Sequence, residues 1–479
     1  MPDYVALDIL PAEHPRTLVV KTATASGENS LTSAFANKLP LFDAVNRSGG
    51  LARLAGLERE GGVTGVFPIG GSPLDDLPRG AGALSALAFQ SQNDAQPFAA
   101  TIVTLAANVD VDGLLDDLND DTQVSYATRV PARYIAVAAP SAQFNPSAAM
   151  RSPAQSELTW NLQRIRFPQI QRPGIDDAHT VRVGVLDTGV DNTHPALVAV
   201  LDSYITGNSG TIAISGQDIV GHGTHVSGTI ASQLEPSIGT RGICDARIKV
   251  WKIFDDEPDY IASGGIYWYL VDPVLYRSAL AACIGEVDVL NLSIGGRNKP
   301  DQQEEALFRL LDQHGVVVVA AMGNERAAGS PTSYPAAIPG VIAVGATTPS
   351  DSVAAFSNAG NHITVAAPGS GIWSTLPTYP GQIGYRVNRV NGQPFKGTPF
   401  PRDENYAAMD GTSMAAPHVT AAAALVLANS PHTRTPQEVH DLLMVTATRL
   451  PAMGNARWTP DLGAGLLNLD RLMFAAQRL

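Results

Sequence analysis

Between Val181 and Ala346, short apolar runs rich in β-branched residues recur along the chain: 181–186 (VRVGVL), 247–253 (RIKVWKI), 287–294 (VDVLNLSI), 315–321 (GVVVVAA) and 340–346 (GVIAVGA). Runs such as 315–321 and 340–346, apolar throughout rather than alternating, belong to strands covered on both faces, the mark of a parallel sheet under helices. The stretches 275–284 and 302–313 read as helices, as does the segment opening after Gly223. An α/β domain with a mostly parallel sheet follows. No fixed repeat period runs through it, which excludes a solenoid.

Upstream, strand-like runs at 17–20, 65–69, 100–105 and 124–128 surround one short helical candidate at 111–118, an α+β pattern. Gly, Ala, Pro, Ser and Asp dominate 70–97, which reads as an insertion or long loop, and a second shift over 138–157 marks a boundary. The chain thus divides into an α+β domain at 1–140, a linker at 141–157 and a larger domain at 158–479.

The formal net charge of −13 repels nucleic acid phosphates, so no nucleic acid partner is expected and a polypeptide substrate fits better. Cys244 and Cys283 are too few for a disulfide framework or a zinc site and are expected to be buried free thiols. The amino terminus lacks a basic stretch followed by an apolar run. The apolar stretch 421–428 falls far short of the roughly 18 residues a membrane span needs, so no membrane association and a cytoplasmic location are expected.

Chemistry concentrates in three segments. Asp187, in Val185-Leu186-Asp187-Thr188-Gly189, sits at the carboxyl end of a buried run, where open α/β sheets place their sites. Alone it is more often a turn residue. His222 lies among small residues in Gly221-His222-Gly223-Thr224-His225, at a helix start that suits a general base, whereas His225 reads as a core residue. Ser413, in Gly411-Thr412-Ser413-Met414-Ala415-Ala416-Pro417, opens an Ala-rich helix whose N–H groups favour developing negative charge; an N-cap serine is its bland alternative.

Together these segments resemble the subtilases, the subtilisin-like serine proteases of peptidase family S8. The resemblance extends over about 158–479, from Trp160-Asn161-Leu162 to Leu462-Gly463-Ala464-Gly465. It implies a three-layer α/β sandwich with a smaller α+β propeptide-like domain in front, Ser413 as nucleophile, His222 as base, Asp187 as its orienting acid and Asn324, after Gly323, as oxyanion donor. It further implies a substrate cleft walled by Ser293-Ile294-Gly295 and Ala321-Met322, with Ser333 near the pocket base and Ser263-Gly264 on a strand that pairs with extended substrate. No acid stands in the pocket segments, so an apolar or medium-sized P1 residue is expected.

Nothing in such chemistry needs a metal or cofactor. The loop 234–240, where many subtilases hold calcium, carries Pro236 at a ligand position, and Ala196 replaces a carboxylate, so calcium is not expected there. The strand, acidic helix, strand order over 100–138 resembles subtilase propeptides, and that resemblance implies a zymogen whose own N-terminal domain is an intramolecular inhibitor. A permanent regulatory domain, or a non-catalytic interaction protein on a protease scaffold, are the alternatives. The segment 377–409 is longer than the family needs and reads as a lid or a wall of the cleft.

Overall fold

The computed structural model of the protein describes residues 13–22, 49–69, 100–135, 155–207, 215–235, 240–256, 260–262, 266–391 and 393–478. The first unit contains β1 (Glu13–Thr22), α1 (Gly49–Arg59), β2 (Val63–Ile69), β3 (Ala100–Leu105), α2 (Val111–Asn119), β4 (Val124–Pro131) and the short β5 (Tyr134–Ile135). Four of the strands form an antiparallel sheet in the order β2-β3-β1-β4. Period-two alternation divides their residues between its faces. Leu18, Val20, Val103 and Leu105 pack on α1 and α2, whereas Val19, Ile102 and Val130 pack on Val274 of the larger unit.

The strands and helix read from the sequence are present. Helix α1 was not expected. Its glycines Gly49, Gly50 and Gly56 weaken the helical pattern, and Gly50 instead supplies close packing, because a Cβ there would collide with the backbone of Asp117 and Leu118 in α2.

The larger unit opens with α3 (Gln155–Arg164), which begins inside the stretch read as linker, and α4 (Phe167–Ile170). There follow β6 (Arg182–Asp187), β7 (Leu201–Thr206), α5 (His222–Ala231), β8 (Arg247–Lys252), β9 (Tyr260–Ala262), β10 (Ile266–Trp268), α6 (Pro273–Cys283), β11 (Val289–Leu292), β12 (Ile294–Gly295), α7 (Gln302–Gln313), β13 (Val317–Ala321), β14 (Ile342–Thr347) and β15 (Ile363–Pro368). The chain ends with β16 (Ile372–Thr375), β17 (Gln382–Val390), β18 (Gln393–Pro401), β19 (Tyr406–Met409), α8 (Thr412–Asn429), α9 (Pro436–Thr446) and α10 (Leu469–Ala476).

A seven-stranded sheet in the order β15-β14-β13-β11-β6-β8-β7, parallel at every pairing, is the middle of three layers. Val183, Val185, Val317 and Val319 face α5, α8, α9 and α10, while Leu186, Leu290, Val318 and Ala320 face α6 and α7. Each fully buried valine or leucine among them contributes about 1.5–3 kcal/mol relative to exposure. The two cysteines are buried free thiols. Among the described residues no helix is long and apolar enough to cross a membrane.

The long segment 377–409 is itself built of regular structure. Most of it is the hairpin β17–β18, which extends the β9–β10 hairpin into a four-stranded sheet in the order β18-β17-β10-β9. Pro394, Pro399 and Pro401 all lie in β18, the edge strand, where sheets tolerate proline.

Candidate active site

Asp187 is the last residue of β6 and His222 the first of α5, and a buried carboxylate ties the two elements together. Asp218 accepts from the Thr188 hydroxyl (2.8 Å), the Gly221 N–H (2.9 Å), the Thr224 N–H (2.9 Å) and the Thr224 hydroxyl (2.6 Å). It thereby caps α5, whose own N-cap, Gly221, has φ of 84° and no side chain to do so. Gly223 brings the helix against β6, since a Cβ there would collide with the Gly189 carbonyl and lie 3.0 Å from Asp187 Cβ.

In that frame His222 Nδ1 donates to Asp187 Oδ1 at 2.6 Å, and the Thr188 N–H donates to the same oxygen at 2.7 Å. Nδ1 carries the proton because the carboxylate only accepts, so the Nε2 lone pair remains, and among the described residues it has no hydrogen-bond partner. Asp187, His222 and Ser413 are all fully buried.

Ser413 is the second residue of α8 rather than its cap, which is Gly411. Pro417 lacks an N–H for the Ser413 carbonyl four residues earlier. That carbonyl accepts instead from the Ser293 hydroxyl at 2.9 Å, and the Ser413 hydroxyl donates to the Ser293 carbonyl at 3.0 Å. Asn291 Nδ2 supports Ser293 Oγ at 3.0 Å, and the Thr420 hydroxyl holds Asn291 Oδ1 at 2.8 Å. The nucleophile candidate and the expected cleft wall are therefore one hydrogen-bonded assembly.

Asn324 follows β13, with Oδ1 fixed by the Thr412 N–H and hydroxyl, both at 2.9 Å. Those donors identify the atom facing them as oxygen, which turns the amide Nδ2 the other way. Gly323, at φ of 98°, makes the turn that brings Asn324 there. Gly295 and Ser333 are also brought together: a Cβ on Gly295 would lie 2.8 Å from Ser333 Oγ. Ala321 and Met322 are fully buried at the end of β13.

Ser263 and Gly264 lie outside the described residues. Among the described residues, 270–271 pair with the N-terminal unit. The Val271 N–H donates to the Arg133 carbonyl at 2.9 Å, Tyr134 bridges Leu270, and Tyr134–Ile135 pair antiparallel with Gly295–Ile294. An extended piece of the N-terminal unit thus lies between 270–271 and β12, which contains the expected wall residues Ile294 and Gly295.

The calcium loop lies partly outside the described residues, at 236–239. Asp176, Asp177 and His179 bring possible ligand atoms within 4.8 Å of one another, but all three are exposed.

The subtilase family model matches residues 178–465, more than half of the chain, and includes every candidate of the Asp-His-Ser set. The chain is a subtilase. As a member it is a serine endopeptidase, and it is 35% identical to subtilisin E of Bacillus subtilis over 321 residues, 66% of this chain and 71% of that protein. It is 34% identical to subtilisin BL of Lederbergia lenta, again over 66% of this chain and 98% of that protein. In fold this subtilase resembles the crystal structure of fervidolysin from Fervidobacterium pennivorans, with a TM-score of 0.62 at 24% identity, covering 96% of this chain and 61% of that one.

Two further histidines of the subtilase are structural. His225 Nε2 donates to the Ile372 carbonyl at 2.9 Å, and burial pushes its pKa down to about 3. His418 Nδ1 donates to the Met414 carbonyl at 2.8 Å while Nε2 accepts from Asn161 Nδ2 at 2.9 Å, tying α3 to α8, and burial lowers its pKa to about 4. The folded pKa lies below the unfolded 6.5, so the unfolded chain binds more protons and stability falls as pH drops from about 6.5 towards 4. Each such histidine contributes a slope of up to about 1.4 kcal/mol per pH unit. Thermal melts of a Ser413→Ala chain, which cannot digest itself, should show Tm falling through this window, and His418→Asn should reduce the slope. Parallel curves would show that His418 takes no part.

Sequence reasoning missed Asp218, whose only local signal was an acid four residues before a helix start. Arg402 supports the same loop. That guanidinium, from the end of the hairpin segment, donates to the Ile219 carbonyl at 2.9 Å and the Asp218 carbonyl at 3.3 Å, bracing the loop that leads into His222.

Proposed function

We propose that this subtilase hydrolyses peptide bonds through Ser413, His222 and Asp187, with Asn324 as oxyanion donor, and that it is made as a zymogen. The observation that carries the reading is the buried 2.6 Å hydrogen bond from His222 Nδ1 to Asp187, which leaves Nε2 as the one lone pair able to take a proton. The Ser413 hydroxyl leaves the Ser293 carbonyl, gives its proton to Nε2 and attacks the scissile carbonyl. Asp187 stabilises the imidazolium, which then protonates the leaving amine. Water deacylates the enzyme with His222 again as base. Asn324 Nδ2 and the Ser413 N–H, in the first turn of α8, meet the oxyanion.

Asn324→Ala should lower kcat by on the order of 10²–10³ with KM little changed, the magnitude known for the equivalent donor in subtilisin. Steady-state kinetics on a chromogenic peptide checks it, and a defect confined to KM would make Asn324 a structural residue only.

The zymogen reading rests on the extended segment Ala132–Ile135, which leads from β4 into the groove. A segment so held blocks substrate by occupying its place. Intact-mass analysis of the purified wild-type chain tests it: loss of an N-terminal fragment supports a removable inhibitor. An uncut chain that cleaves added peptides favours a permanent regulatory domain. The expected cut, within 138–157, lies largely outside the described residues.

A further inference from the structure

We infer that the unprimed half of the substrate groove contains a guanidinium subsite, built by Glu304 with Tyr276 and the Asn298 carbonyl, that selects arginine in the polypeptide substrate. The inference rests on the protease reading and on the groove being vacated by the chain's own segment.

Residues Ala132–Ile135 run between two edges, with Tyr134–Ile135 on β12 and the Arg133 carbonyl on the Val271 N–H. A chain held by backbone hydrogen bonds on both sides is held as a substrate is, so its side chains mark the subsites. Tyr134 reaches Glu325 with its hydroxyl at 3.3 Å. Arg133 turns into a fully enclosed pocket: its side chain is 2% exposed and that of Glu304 1%.

Every contact in the pocket reads the planar fork. Nε donates to Glu304 Oε1 at 3.2 Å and Nη2 to Oε2 at 2.8 Å, a bidentate pair, while Nη1 donates to the Asn298 carbonyl at 3.1 Å and the neighbouring Ala132 carbonyl at 3.2 Å. The Tyr276 hydroxyl donates to Glu304 Oε1 at 3.1 Å and fixes the carboxylate. Two protein elements set these groups. Glu304 lies in the first turn of α7, capped by Asp301, which also pairs with Arg277 of α6; Tyr276 comes from α6. None of Glu304, Tyr276 and Asn298 belongs to the segment that departs, so the acceptor set stays with the protease. A lysine ammonium, a point charge, does not satisfy a bidentate carboxylate and a carbonyl in one plane.

The test uses the full chain as purified after its own processing. Peptides sharing one scissile bond carry arginine at each upstream position in turn, paired with citrulline, which keeps the shape and loses the charge. Active-site titration with an organophosphate counts the folded enzyme in each preparation. At one position arginine should exceed citrulline by about tenfold or more in kcat/KM, chiefly through KM, and Glu304→Gln should erase that difference at that position alone. If Glu304→Gln does not fold, Tyr276→Phe should narrow the preference several-fold at the same position. Equal rates for arginine and citrulline everywhere, from an enzyme that cleaves both, would overturn the subsite and leave the protease reading intact. Cleavage of no peptide, by a chain that titrates with organophosphate or not, would remove the protease reading and the subsite with it.

Discussion

A Ser413→Ala chain is expected to remain at its full 479 residues while the wild type sheds an N-terminal fragment, and its turnover of added peptides should fall by on the order of 10⁶, a magnitude taken from subtilisin. The expectation follows from what the hydroxyl does in the fold. It donates to the Ser293 carbonyl, and that residue directly precedes the strand already paired with the chain's own segment. Removing the hydroxyl leaves the apolar bed of α8 untouched, because Met414, Ala415 and Ala416 pack regardless. The melt should therefore be little altered, and co-purification of the N-terminal unit with the rest should be complete. A variant that still sheds the fragment would place the nucleophile elsewhere or assign the cut to another protease; unchanged turnover would end the Ser413 assignment outright.

The second large effect is expected from Asp187→Asn, with kcat reduced by about 10⁴ and KM little changed, the size seen when the corresponding carboxylate becomes an amide in another serine protease. Asp187 Oδ1 receives both His222 Nδ1 and the Thr188 N–H, and the amide oxygen of an asparagine can keep both bonds. What disappears is the charge. The site is fully buried, so no water replaces it when His222 becomes an imidazolium. Single-turnover kinetics separates this from a folding defect, since the loss should lie in acylation and in deacylation alike. A loss below tenfold would mean that another group stabilises the imidazolium.

Much of this was legible in the sequence because it is written locally. A strand buried on both faces must be apolar throughout, and 316–319 or 183–186 satisfy that without reference to any partner. Asp187, His222, Asn324 and Ser413 each sit in a short run whose glycines and alanines are needed for close approach, so the site left a pattern as well as single residues. What stayed hidden acts across long separations. Helix α1 is stabilised by tertiary contacts, including Asp121, which accepts from the Leu51 N–H at 3.0 Å, and not by its own amphipathic pattern. The hairpin β17–β18 carries prolines that argue against a central strand and tell nothing of the sheet whose edge it becomes. Glu304 is 171 positions from Arg133, and no spacing rule joins them.

Helix α8 is covered on all sides from Thr412 to Val426, and its residues contribute to the same core cluster as α5, α9 and α10. Its backbone amides should consequently exchange with deuterium only through opening of the whole domain, among the slowest in the molecule. Denaturant would then extinguish activity and native structure along one curve, with no inactive but folded plateau between them. Control over such an enzyme has to act at the door of the cleft, because the apparatus behind it is not a separately meltable part.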